Sequence, residues 1–287
     1  MGLQRNRIMV VTGASRGAGK GIALALGVPG TTVYVTGRTR TEGDAPLPGT
    51  VFATAAEIDR RGGVGIPLVC DHADDAQVKA VFERVANDHG RLDILVNNAI
   101  CLPDGLTEKG PFWKKPLALQ AILDVGLRST YVASYFAAPL LIANGEGLVV
   151  NTSSFGGRCY MHGPAYGAGK AAVDKMAHDM AVDFKPYNVA VVSIWMGLLD
   201  NERTRATVAV DPGTYGKALA RAESTEFTGL IIDALAKDPT RMERSGKVWV
   251  GAELALEYGL TDINGRQPRS YRAGLGDPTT FSDAVVE

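Results

Sequence analysis

The sequence predicts a doubly wound α/β fold: a single domain with a central parallel sheet of about seven strands and helices on both faces. Two patterns carry that expectation. Short β-branched runs alternate with longer amphipathic stretches through most of the chain, the rhythm of parallel strands joined by covering helices. The first such run passes directly into a glycine-rich turn that opens a helical pattern. With 287 residues, 46% hydrophobic and 21% charged, the chain can bury a large core in that form.

Strands are expected at residues 8–12, 32–36, 65–70, 94–97, 148–152, 189–194 and 247–250, and helices at 19–26, 51–61, 75–89, 117–143 and 165–184. The last helix has the clearest pattern, because Val173, Met176, Ala177, Met180, Ala181 and Phe184 recur at three and four residues. Pro164 suits its first turn and Pro186 stops it. Residues 39–49, rich in Gly, Pro and charge, read as a solvated surface loop. Residues 197–239 are helical in composition but broken by Pro212 and Gly213. They follow the sixth strand, where this fold can carry a substrate lid at the carboxyl edge of the sheet. The catalytic domain is thus expected at 1–250, with residues 251–287 as a C-terminal extension.

Composition excludes several functions. A net charge of −1 from 30 basic and 31 acidic residues, interspersed, gives no surface for nucleic acid. Cys70, Cys101 and Cys159 are scattered and lack C-x-x-C spacing, which fits free thiols in a reducing, cytoplasmic compartment. His72, His89, His162 and His178 show no ligand spacing, so no metal site is expected. The opening apolar stretch is too short for a secretory segment or a membrane span.

The turn after the first strand, Thr12-Gly13-Ala14-Ser15-Arg16-Gly17-Ala18-Gly19, gives G-x-x-x-G-x-G between strand and helix. Glycines allow backbone to approach a pyrophosphate, and the helix N-terminus offers it free N–H groups and a positive dipole end. Gly13, Ser15, Arg16, Gly17, Ala18 and Gly19 are therefore candidate cofactor contacts in a Rossmann-type fold. At the end of the second strand Gly37 stands where an acid would accept the ribose hydroxyls of NAD, and Arg38 follows. Arg38 and Arg16 suit a 2′-phosphate, so NADP (NADPH) is expected over NAD; the plain alternative is that both are solvated surface residues. Asp71 can accept from the adenine amino group or cap the next helix.

Tyr166 and Lys170 are four residues apart on one helix face, which lets the ammonium favour the phenolate and make a usable proton carrier. The serine pair Ser153-Ser154 ends the fifth strand, twelve residues before Tyr166. With the glycine loop, Asn97-Asn98-Ala99 after the fourth strand, and these residues in order, the chain resembles the classical short-chain dehydrogenase/reductase family over residues 7–250. Asp124-Val125-Gly126-Leu127-Arg128, Tyr166-Gly167-Ala168-Gly169-Lys170-Ala171-Ala172 and Ser245-Gly246-Lys247…Tyr258-Gly259-Leu260 resemble its dehydrogenase/reductase member 1 branch.

The resemblance implies an NADP-dependent oxidoreductase that moves a hydride between nicotinamide and a ketone, aldehyde or secondary alcohol. Tyr166 would exchange the proton, and Lys170 would hold the nicotinamide ribose and lower the phenol's pKa. A strand-end serine would meet the substrate oxygen: Ser154 by strand alignment, or Ser153 by the family's commoner thirteen-residue spacing. Asn98 and Ala99 would border the cofactor. The family's assembly implies a homodimer or homotetramer.

Three positions depart from the family pattern. The asparagine expected on the helix after the fourth strand falls at Gly126, removing a side chain that helps hold a water relay behind the lysine. Asn-Asn-Ala-Gly ends in Ile100, and Pro-Gly after the sixth strand is Met196-Gly197, with Asn201 where a threonine often contacts the nicotinamide amide. The alternative function these leave open is an NADP-binding sensor or scaffold with a weakened site.

Overall fold

The computed structural model describes residues 5–210 and 212–286. Strands β1 (Arg7–Val11), β2 (Thr31–Gly37), β3 (Val64–Val69), β4 (Ile94–Asn97), β5 (Gly147–Ser154), β6 (Val189–Met196) and β9 (Val248–Val250) form one seven-stranded sheet, ordered β3-β2-β1-β4-β5-β6-β9. Every pairing in it is parallel. Two short strands, β7 (Leu199–Asp200) and β8 (Glu223–Ser224), pair separately.

Alternation along β1 shows how both faces are buried. Met9 and Val11 enter a cluster with Ile22, Ile58 and Phe227, while Ile8 and Val10 enter another with Phe82, Leu141 and Ala177. The first face is covered by α1 (Gly17–Leu26), α2 (Val51–Arg60) and α8 (Phe227–Lys237); the second by α3 (Asp75–His89), α4 (Ser129–Asn144) and α5 (Pro164–Phe184). Strand order reverses between β1 and β4, which opens a crevice at the carboxyl ends of these strands.

The structure corrects four expectations of local structure. The helix expected at 117–143 is broken: residues Leu117–Gln120 form a 3₁₀ turn, and regular helix begins only at Ser129. Val125 (φ −110°, ψ 98°) and Gly126 (φ 146°, ψ −48°) leave helical geometry between them. Asp74, not Asp71, caps α3, accepting from the N–H groups of Ala76 and Gln77.

The stretch 197–239 divides in two. Its last part, α8, is a core helix whose Phe227, Ile231, Ile232 and Leu235 pack beneath the sheet, and Gly229 lets it approach α1. The part before it carries α6 (Glu202–Val210) and α7 (Pro212–Leu219) between β7 and β8, and α6 reaches the glycine loop through Glu202.

The C-terminal extension packs on the rest of the domain. Helix α9 (Gly251–Glu257) buries Leu254 and Ala255 in the core, and buried Asp262 accepts from the backbone N–H and the hydroxyl of Ser224. Beyond it Tyr271 and Leu275, at and in α10 (Arg272–Leu275), pack on Phe155 and Trp195.

Candidate active site

At the crevice the glycine loop is held from below. Thr12 Oγ1 accepts from the N–H groups of Asn98 (2.9 Å) and Ala99 (3.0 Å), and Asn98 Nδ2 donates to the carbonyls of Thr12 (2.9 Å) and Gly13 (3.1 Å). Asn98 and Ala99 thus build the cradle rather than present side-chain donors to its open side, and Thr12, the first residue of the glycine turn, joins them. A Cβ on Gly19 would lie 2.3 Å from the Gly13 carbonyl and 2.4 Å from Asn98 Nδ2. No other residue fits there. Arg16 precedes α1 without a side-chain cap, leaving first-turn N–H groups open as an anion seat. One of them is taken: Gly17 N–H donates to Glu202 Oε2 (3.1 Å) at the start of α6.

The rim of this crevice is cationic. Arg16 donates to the carbonyls of Pro48 (3.0 Å) and Gly49 (2.7 Å) and to Thr39 Oγ1 (2.9 Å), so the 39–49 segment is a brace for Arg16 rather than a plain excursion. Arg38 is exposed and close enough to Arg16 for the two charges to repel. Gly37 packs against Ser15 and Val51, and its missing Cβ would meet Val51 at 3.2 Å. A larger side chain there would press on Val51. Asp71 accepts from the Ala73 N–H (3.0 Å), while buried His72 bonds Thr36 Oγ1 (2.7 Å) and is pushed down to about 4 by burial, so it stands as neutral wall.

The end of β5 meets α5 beside the crevice. Ser154 Oγ lies 3.0 Å from Tyr166 OH, whereas Ser153 is fully buried on the opposite side, its hydroxyl donating to the Lys170 carbonyl. The strand pleat therefore separates the two serines, and the Ser154 hydroxyl is the one beside the phenol. Lys170 Nζ donates to the Thr152 carbonyl (3.0 Å) and sits 5.8 Å from the Tyr166 ring centroid. Burial raises the Tyr166 pKa above that of a free phenol, with Ser154 pulling it down less, and lowers Lys170 to about 8. This overturns the expected net fall at Tyr166. The phenol is enclosed and the lysine is directed to a carbonyl, so desolvation is the largest effect on the phenol.

The space left at Gly126 is filled by Ile100. A Cβ at Gly126 would meet Ile100 Cγ1 at 3.3 Å, and the kink is held by the Cys101 N–H donating to the Val125 carbonyl (2.8 Å) and by Thr130 Oγ1 donating to Gly126 O (2.9 Å). The two departures from the family pattern are one change: apolar bulk from the fourth strand's end replaces a polar side chain on the helix. Asn201 is also committed, its Oδ1 accepting from the Thr204 N–H (2.9 Å). Beside Tyr166 a cavity of about 130 Å³ is lined by Leu106, Pro116, Leu119, Ile122 and His162. The His162 ring stands edge-on to Tyr166 at 5.1 Å.

A parallel sheet with a glycine-cradled crevice at its reversal point defines the class as Rossmann-type dinucleotide-binding α/β proteins. The model of the family described as short chain dehydrogenase matches residues 7–211, and the chain belongs to the short-chain dehydrogenase/reductase family of oxidoreductases, which use nicotinamide cofactors. It is 40% identical over 278 residues to dehydrogenase/reductase SDR family member 1 of Mus musculus, covering 93% of this chain and 86% of that protein. The Homo sapiens protein of that name is 40% identical over 276 residues, covering 92% and 86%. Within the family the chain resembles this branch. In fold it is similar to a putative dehydrogenase from Xanthomonas campestris (TM-score 0.75, 22% identity, 92% of this chain and 93% of that one) and to levodione reductase (TM-score 0.73, 21% identity, 88% and 99%).

Proposed function

We propose that the chain is an NADP-dependent oxidoreductase in which Ser154, Tyr166 and Lys170 handle the proton while a hydride passes between nicotinamide and a carbonyl or secondary alcohol carbon. The observation that carries the reading is the 3.0 Å approach of the Ser154 and Tyr166 hydroxyls above a buried Lys170, at the carboxyl edge of the sheet beside the glycine cradle. A bound dihydronicotinamide supplies the hydride. The phenol, held protonated by burial, donates its proton to the carbonyl oxygen in reduction. Ser154 donates a hydrogen bond to the same oxygen as charge grows on it. Lys170 holds the nicotinamide ribose and supplies positive charge under the phenol. The open N–H groups of α1 and the cradle of Gly13, Ser15, Gly17, Ala18 and Gly19 take the pyrophosphate, bordered by Asn98 and Ala99; Asp71 takes the adenine edge.

The nucleotide reading rests on Arg38 and Arg16 beside an acid-free strand end. Arg38→Ala weakens NADPH by about 10- to 100-fold, the worth of charge-assisted bonds to a phosphate, and leaves NADH nearly unchanged. Fluorescence titration of both nucleotides checks it; equal losses would refute the 2′-phosphate assignment. Glu202 gives a second prediction, because its carboxylate sits on the Gly17 N–H that a pyrophosphate needs. Glu202→Gln tightens NADPH by about 3- to 10-fold in the same titration, the worth of removing an anion from a helix N-terminus.

Among the described residues no helix is long and apolar enough to cross a membrane. A cytoplasmic homodimer or homotetramer, with 197–222 closing over the site as a lid, completes the reading; sedimentation tests the assembly. A carbonyl panel with NADPH tests the activity. Binding without turnover would favour the sensor or scaffold.

A further inference from the structure

One helical turn beyond Lys170, α5 carries a second buried charge with no part in the reaction as proposed. Asp174 is 2% exposed. Its carboxylate accepts from Ser193 Oγ (2.5 Å) and Trp195 Nε1 (2.9 Å) on β6. Both donors come from β6, and such bonds are how a buried carboxylate is kept ionised. The charged neighbour is Lys170; Tyr166 lies on the far side of that lysine, and β5 offers Lys170 only the neutral Thr152 carbonyl.

We propose that Asp174 is a positioning residue of this site: its carboxylate, fixed by Ser193 and Trp195, keeps the buried Lys170 an ammonium so that the lysine can serve the ribose and the phenol. The inference rests on the function proposed for Lys170, but the electrostatic part stands without it. Burial drives Lys170 down and the carboxylate opposes that fall, with the balance at about 8. Burial also raises Asp174 to about 6, while its hydrogen bonds and Lys170 hold it down. Both charges therefore coexist at neutral pH, in a window from about 6 to about 8. Asp174 recovers only part of the desolvation cost, so the pair serves the charge state of the lysine better than it serves stability.

The direct test is titration of the Lys170 ammonium by nitrogen NMR in protein labelled at lysine nitrogens, with the signal assigned by its loss in Lys170→Met. Asp174→Asn keeps the shape and removes the charge. It moves the Lys170 midpoint down by roughly one to two pH units, the effect of a unit charge one helical turn away at an effective dielectric near 20. The alkaline limb of the pH profile for carbonyl reduction moves down with it, with KM for the carbonyl nearly unchanged. Ser193→Ala keeps the carboxylate but removes one bond that holds it ionised, so it shifts the midpoint in the same direction by less. That variant carries the test if Asp174→Asn does not fold. An unmoved midpoint in whichever variant folds, with only a lowered melting temperature, would overturn the proposal. A shifted midpoint in protein without turnover would leave it standing and refute the catalytic reading instead.

Discussion

Tyr166→Phe removes turnover while leaving the cofactor site intact. The substitution deletes one oxygen whose partner is Ser154 Oγ at 3.0 Å, and the ring, edge-on to His162, stays in its packing. Loss of a positioned general acid lowers kcat by about 10³-fold. NADPH binding, followed by fluorescence, stays within about 2-fold, because the cradle lies on β1, α1 and β4 and is worth several independent contacts. Folding is little affected. The phenol's bond to Ser154 contributes about 1 kcal/mol, and the serine retains the Gly156 N–H as a donor. Ser154→Ala has a smaller effect on kcat, since it removes one donor to the oxygen but not the proton. Reduction needs the protonated phenol and the charged lysine. The first persists to alkaline pH because burial raises Tyr166, while Lys170 loses its proton near 8, so the rate falls as pH rises past about 8.

Gly126→Asn, which places the family's asparagine in this chain, lowers stability instead of improving the site. Gly126 has φ 146° and ψ −48°, a conformation L-residues avoid, and its Cβ would press on Ile100 Cγ1 at 3.3 Å. Backbone strain and overpacking together cost about 2–4 kcal/mol, read as a lower denaturant midpoint at unchanged slope. Ile100→Gly restores the family residue on the other side of that contact. The double variant is less destabilised than the two single variants sum to, by about 1 kcal/mol, because Ile100→Gly removes the clash that Gly126→Asn creates. Simple additivity would show that Gly126 and Ile100 do not compensate each other.

Much of the scaffold was legible because it rests on local patterns. Each strand of the main sheet is a short β-branched run, and helices that cover the sheet lie between successive strands, so the sheet could be read strand by strand. The loop glycines were legible for the same reason: Gly13 and Gly19 are dictated by backbone close by, and Gly17 by its positive φ. The break at Val125 and Gly126 was not. A single glycine within an apolar periodic stretch does not by itself end a helix, and what ends this one is the distant Cys101 N–H and the bulk of Ile100. Helix α8 was hidden inside a broken, lid-like segment because its burial is decided by α1, far away in the chain.

In the site, the order and spacing of Ser154, Tyr166 and Lys170 could be read, and the structure brings their side chains together. Three contributors could not be read. Thr12 reads only as the residue that opens the glycine turn, yet its hydroxyl ties the segment after β4 to the loop. Glu202 looks like an ordinary first-turn acid of α6 until the fold lays it on Gly17. Asp174 looks like a solvent-facing polar position on α5, and only the neighbouring β6 reveals that it is enclosed. The sign at Tyr166 was misread for a related reason: spacing shows that a lysine is near, but not how much water the fold removes.

The central claim is that this site passes a hydride to a carbonyl carbon. The most direct measurement supplies NADPH deuterated at the transferable position of the nicotinamide and analyses the alcohols formed from a panel of ketones and aldehydes by mass spectrometry. The account predicts one deuterium on the carbinol carbon, transferred by the native protein and absent with Tyr166→Phe. Saturated NADPH binding with no labelled alcohol from any member of the panel would contradict it.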